Sequence, residues 1–363
     1  NSTGGATSTV TMSAGATSSI DLIANITTAG GAVQLNGNVD VSGARTIDTG
    51  AVAADITVTG TIGGVANDGT DTLTLDADGA TSDADVTLMG AYGPAAERMG
   101  TLTIDANDIS VNSVEVTDDV FAPNSIAGTI TLTGSTIKTI GTGGAITFNR
   151  PVVLSAGGTI ISVDTSANND NIIFQETIND TMSNDALFLL AGNGDVDLLG
   201  NAGTINALGS LQVLSDNTEL RDVTTTGTIF VSAATLIELK GTTYTSSGGL
   251  IEFNGPVDLL ASALITVSTT GEFDTHDVIF ASTFNYTGAD DGLSVDVNGL
   301  GDVTFGAGVG SGAAQELASF DVADGDVVTL TSTVETAGGA LSVGTVGARV
   351  GTLNLNDALT SHN

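Results

Sequence analysis

Apolar and polar residues alternate in short runs along the chain. Ile56-Thr57-Val58-Thr59, Leu73-Thr74-Leu75, Val86-Thr87-Leu88, Leu102-Thr103-Ile104 and Ile130-Thr131-Leu132 all have a period of two. Successive side chains of a strand point to opposite faces, so this period buries Ile, Val and Leu and turns Thr outward. Gly, Asn, Asp and Ser separate the runs, and these residues supply left-handed backbone and local side-chain bonds at turns. Pro stands only at Pro94, Pro123, Pro151 and Pro256, which suits long ladders because Pro removes a donor. Residues 93–99 and 310–319 carry helix formers, but neither stretch is long enough to hold a helix alone. The pattern predicts a chain that is nearly all β.

The runs belong to a longer repeat. Gly143-Gly-Ala-Ile-Thr-Phe-Asn-Arg-Pro-Val152 returns 105 residues on as Gly248-Gly-Leu-Ile-Glu-Phe-Asn-Gly-Pro-Val257, and a looser copy stands at Gly30-Gly-Ala-Val-Gln-Leu-Asn-Gly-Asn-Val39. The segments downstream of each copy recur in the same order. Asn171-Ile-Ile-Phe174 matches Asp277-Val-Ile-Phe280 and Asp55-Ile-Thr-Val58, and Gly194-Asp-Val196 matches Gly301-Asp-Val303 and Ala84-Asp-Val86. A fourth copy begins at Gly338-Gly-Ala-Leu341. The chain therefore divides into residues 1–29 (an N-terminal coil or stacking end), three long repeats at 30–142, 143–247 and 248–337, and a partial fourth repeat or second stacking end at 338–363. Leu35 and Val58 occupy places where later copies carry Phe, which marks inward positions with different packing.

Two all-β architectures accommodate such a repeat: a parallel β-solenoid of about three long repeats, or tandem β-sandwich domains. The solenoid is favoured. Strand-like runs continue through Gly143 and Gly248 without a linker, and each long repeat holds about five strand–turn units of roughly 20 residues. Trp is absent and Tyr numbers three, so the usual anchors of a sandwich core are scarce.

Composition narrows the function. The 363 residues include 42 acidic and 7 basic side chains, a net charge of −35, yet 41% of the chain is hydrophobic. That apolar content separates it from a disordered acidic tail. Seven scattered cations do not make a nucleic-acid site or an anchor for an anionic membrane surface. The chain has no Cys, which removes thiol catalysis and disulfides. No apolar run approaches the ~20 residues of a membrane helix. The acids fall mostly between the apolar runs, so they are expected at exterior turns.

Phrases such as Gly248-Gly-Leu-Ile-Glu-Phe-Asn-Gly-Pro-Val-Asp-Leu259, Val223-Thr-Thr-Thr-Gly-Thr-Ile-Phe-Val-Ser-Ala233 and the stretch 301–322 resemble the repetitive filamentous-haemagglutinin-like and autotransporter-like surface proteins of bacteria. The resemblance covers most of the chain and lies in composition and rhythm. It implies a right-handed parallel β-helix, export, and a role in adhesion or a cell-surface layer.

Candidate chemistry is sparse. Calcium takes six to eight oxygen ligands, and the acidic clusters around Asp76, Asp78, Asp83 and Asp85, and at Asp290 and Asp291, are the candidate metal positions. Gly192-Asn-Gly-Asp195 and Gly299-Leu-Gly-Asp302 carry a fragment of the nonapeptide calcium repeat. No catalytic constellation emerges: His276 and His362 are far apart, and His276 reads as an exposed loop residue. The Thr-x-Thr pairs read as outward strand faces. The expected function is a secreted, extracellular or cell-surface structural protein forming a fibre, sheath or layer by end-to-end self-association. An adhesin stalk binding glycans or other cell-surface components is the alternative, and a β-helix polysaccharide enzyme the remote one. The expected partners include neither nucleic acid nor an inserted membrane.

Overall fold

A computed structural model describes residues 9–77, 84–117, 121–125, 127–141, 144–182, 184–271, 275–286, 291–298, 300–310, 316–344 and 350–361. The chain divides into two compact units. Unit one holds residues 1–185 and 190–194; unit two holds residues 186–189 and 195–363. Both are parallel β-solenoids, together about 13 turns, with no helix among the described residues. Sandwiches pair their strands antiparallel, and the parallel pairing seen here sets that alternative aside.

Unit one has three faces. The first is an eight-stranded parallel sheet: Val10–Ser13, Val33–Asn36, Ile56–Val58, Val86–Leu88, Ile109–Val111, Ile130–Leu132, Val152–Leu154 and Ile178–Asp180. Val10, Val33 and Ile56 are register partners 23 residues apart, so one coil takes about that length. Other steps range from 21 (Ile109 to Ile130) to 30 (Ile56 to Val86), yet register holds throughout. The second face includes Ser19–Leu22, Asn38–Val41 and Ile62–Gly64, then Val114–Val116, Thr136–Thr139 and Ile160–Asp164. The third carries Ile26–Thr27, Ala44–Asp48, Thr72–Asp76, Leu102–Ala106 and Phe121–Ser125. The strand–turn unit of roughly 20 residues is thus a whole coil with three strands. Residues 93–99 form a single turn, closed by the Glu97 N–H donating to the Pro94 carbonyl at 2.7 Å.

Unit two stacks its coils likewise. Two long strands, Ser210–Leu220 and Ile229–Leu239, pair in parallel with a register shift between Ser215 and Asn217. The first half of Ile229–Leu239 pairs onward with Ile251–Asn254, the second with Val257–Leu259, so one strand serves two faces.

Inward rows follow the alternation. Leu35 and Val58 are buried, as are Phe148, Phe174, Phe253 and Phe280. Phe148 stacks on Phe174 with ring centroids 4.5 Å apart; in unit two Phe280 stacks on Phe253 at 5.4 Å and on Phe305 at 4.8 Å. Offset aromatic pairs contribute about 0.5–1.5 kcal/mol each beyond burial.

The repeated Gly-Gly phrase marks a corner. A buried hydroxyl precedes it each time and binds its second glycine. Thr28 donates to the Gly31 carbonyl (2.6 Å), Thr139 to that of Gly144 (3.5 Å) and Thr336 to that of Gly339 (3.4 Å), while Ser246 accepts from the Gly249 N–H (2.9 Å). A Cβ on Gly249 would lie 2.6 Å from the Thr228 nitrogen, and one on Gly339 would overlap the Ala318 carbonyl. Glycine is therefore required where the corner packs on the preceding coil.

One expectation changes. Many acids stand within strands, on outward positions, rather than at turns; Asp48, Asp76, Asp105, Glu115, Glu219 and Glu238 are examples.

Candidate functional site

Outward positions are released from packing, and in-register strands turn them into columns. In unit two, four consecutive rungs place an acid at one position: Asp197 is paired with Glu219, Glu219 with Glu238, and Glu238 with Asp258. Asn285 stands on the next rung. Neighbouring strands lie about 4.8 Å apart, and like charges directly opposite one another are destabilising. Two cations answer part of this charge. The Lys240 ammonium lies 2.6 Å from Glu219 and 2.8 Å from Glu238, and Arg221 lies 3.5 Å from Glu219. The column borders an open depression that also takes in Asp195, Asn217 and Leu236.

This crowding appears in the titration of the groups. Burial, then the charges of Glu219 and Asp195, push the Asp197 carboxyl above its ordinary 3.8. Burial alone would lower Lys240, but its hydrogen bonds to Glu219 and Glu238 prevail and hold it above its ordinary value.

Unit one repeats the motif on its third face, where Asp48, Asp76 and Asp105 stand in register. Asn124 follows and donates to Asp105 (3.1 Å), and Asn149 donates to Asn124 (2.7 Å). The first face of unit one is the opposite case. Its outward rows read Thr11, Gln34, Thr57, Thr87, Ser110, Thr131, Val153, Asn179 and Ser13, Asn36, Thr59, Met89, Asn112, Thr133, Ser155, Thr181. None of these is charged, but the outward row one residue before each strand carries Asp55, Asp85 and Asp108 on three consecutive rungs.

A third arrangement uses carboxylates as glue between coils. Asp55 accepts from the Asp85 N–H (3.1 Å), Asp85 from the Asp108 N–H (3.2 Å), and Asp108 from the Thr129 N–H (2.6 Å). Burial lifts the Asp85 carboxyl, and the neighbouring charges of Asp108 and Asp55 add to that, against the lowering effect of its bond to Asp108. The aspartates of both G-x-G-D fragments act in the same way. Asp195 accepts from the Asn217 N–H (3.2 Å) and Asp302 from the Val327 N–H (3.0 Å).

The calcium candidates are dispersed accordingly. Asp76 belongs to the acidic column of the third face and Asp85 to the backbone ladder beside the first. Asp291 is buried and accepts from the Ala263 N–H (2.5 Å). Asp78, Asp83 and Asp290 lie outside the described residues. Among the described residues, no three His, Asp or Glu side chains group so as to hold a metal ion. His276, expected on an exposed loop, is buried, with its carbonyl accepting from Thr269 (2.7 Å).

The Asp197–Asp258 column is not apparent from the alternation alone, though the sequence carries a signal for it. An acid-Leu pair recurs as Asp197-Leu198, Glu219-Leu220-Arg221, Glu238-Leu239-Lys240 and Asp258-Leu259, once per coil. Comparison with protein-family models, curated proteins and solved structures found no match to this chain.

Proposed function

We propose that the protein is a secreted structural component that builds an extracellular fibre, sheath or surface layer, one copy adding its coils to those of another. One observation carries this reading: coils join by a rule that does not depend on chain connectivity. Each rung offers ladder hydrogen bonds and an inward apolar row, and any coil of the same width completes them. Among the described residues, Val10–Ser13 pairs only with Val33–Asn36, leaving Met12 exposed. Val350–Leu355 pairs only with Ser319–Leu330, and Leu353 and Leu355 are each 44% exposed. A further strand, from the same chain or from another copy, completes an edge of this kind. The rhythm shared with bacterial filamentous-haemagglutinin-like surface proteins points the same way, as does a chain without thiols. Negative charge on outward columns keeps copies apart at other faces.

Electron microscopy and size-exclusion chromatography of the purified chain test this. Filaments or concentration-dependent oligomers are expected, lost in a Leu353→Asp/Leu355→Asp variant that stays folded. A monodisperse monomer at high concentration overturns the proposal.

A further inference from the structure

We propose that Met182 is a reversible oxidation site, the first side chain of this protein to react with a peroxide-class oxidant, and one whose oxidation leaves the solenoid intact. The chain has no Cys and no Trp, so its four Met carry its readiest two-electron chemistry. They differ in access. Met182 is 81% exposed, Met89 56% and Met12 37%, while Met99 is fully buried.

The backbone also sets Met182 apart. Its φ of 71° lies in the left-handed region, which favours Gly and Asn. The third repeat has glycine at this place in the sequence. Asn179-Asp-Thr-Met-Ser-Asn-Asp185 matches Asn285-Tyr-Thr-Gly-Ala-Asp-Asp291, with Gly288 where Met182 stands. A thioether is thus held in solvent at a turn position that calls for no side chain. The turn does not rest on it. The buried Asp180 carboxylate closes the turn, accepting the N–H groups of Thr181 (2.7 Å), Asn184 (2.7 Å) and Asp185 (3.3 Å). Asp185, also buried, fastens the turn to the corner of the coil before, accepting from the N–H groups of Ala156 (2.8 Å), Gly158 (2.6 Å) and Thr159 (3.0 Å).

A peroxide passes one oxygen to the sulfur. The O–O bond breaks, the sulfur loses two electrons, and the reduced peroxide leaves as water or an alcohol. The sulfoxide needs solvent for its new dipole, which Met182 has. Met99 does not: its carbonyl accepts from the Thr117 N–H and hydroxyl (2.9 Å each), and a sulfoxide on its side chain would bury a polar group. Access and tolerance therefore run in the same order, and oxidant is consumed at Met182 before it reaches the core. A methionine sulfoxide reductase removes the oxygen as water at the expense of a dithiol, which makes the turn a renewable oxidant sink. The inference stands apart from coil-on-coil assembly, which uses strand edges and not this turn.

Timed exposure of the purified full chain to hydrogen peroxide, read by peptide mass spectrometry, tests it. Met182 should gain oxygen before Met89 and Met12, and about tenfold or more faster than Met99. Circular dichroism and melting temperature should stay those of the parent when Met182 is fully converted. Reductase with dithiol should then restore the parent mass at that residue. Met182→Leu should remove the fastest phase and leave the rates at Met12 and Met89 unchanged. Met182 reacting no faster than Met89 or Met12 overturns the proposal. So does a melting temperature that falls in step with Met182 conversion, or a sulfoxide that the reductase cannot remove.

Discussion

The uncharged rows on the first face of unit one and the acidic column of unit two obey one construction rule and reach different surfaces. Beneath both lies the same unbroken row of buried aliphatics, Val58, Leu88, Val111 and Leu132 under one, Leu198, Leu220, Leu239 and Leu259 under the other. Above them, one carries a hydroxyl or amide at every position of its two uncharged rows but two, Met89 and Val153, and the other four acids on four consecutive rungs. Inward positions are dictated by packing and tolerate little variety. Outward positions are nearly free of packing, and stacking amplifies whatever stands there, because each choice is repeated about 4.8 Å away.

The comparison breaks most visibly if the two inward rows are not equivalent. Leu132→Ala and Leu239→Ala should each cost about 2–5 kcal/mol in urea unfolding; a small effect at only one of them would end the equivalence. Next in size is the cation of the acidic column. Lys240→Met leaves Glu219 and Glu238 facing each other and should cost about 1 kcal/mol at low ionic strength, less as salt screens the pair. A loss unchanged by salt would assign Lys240 a packing role. Asp197 sharpens the contrast further. Its raised carboxyl binds a proton more readily in the folded chain than in the unfolded one, so it lowers stability as pH rises from its ordinary 3.8 through the raised value. Asp197→Asn should therefore stabilise the protein near neutral pH and flatten the gain on mild acidification, as read by melting temperature against pH. The smallest effect belongs to the uncharged rows of the first face, where Thr87→Ala should change stability by no more than about 0.5 kcal/mol.

The strands and their buried rows are legible in the sequence because a period of two is local: Leu102-Thr103-Ile104 names its own inward residues. The inward setting of Leu35, Phe148 and Phe253 is legible for the same reason, but their equivalence in the repeat is not kept in space: Leu35 stands in register with Val58 on the first face, whereas Phe148 pairs with Phe174 in a different sheet. Column membership is not legible. Whether Glu219 stands over Asp197 depends on pairing across a corner, and the corners differ in length, so adjacency in space has no fixed spacing in sequence. The buried corner hydroxyls are hidden differently. Thr28, Ser246 and Thr336 look like any other Thr or Ser in a chain full of them, and only the bond to the following Gly-Gly sets them apart. His276 misleads because its polar surroundings, Asp274-Thr-His-Asp277, suggest exposure while the ring itself is buried.

Steps between register partners on the first face of unit one run from 21 to 30 residues while the rungs keep their register. The fold thus counts rungs rather than residues. Inserted or deleted segments are absorbed at corners, and the gain or loss of a whole coil leaves the remaining columns intact. Such a gene can lengthen, shorten and recombine by duplication at almost any coil, and its surface can drift rapidly over an interior that hardly changes.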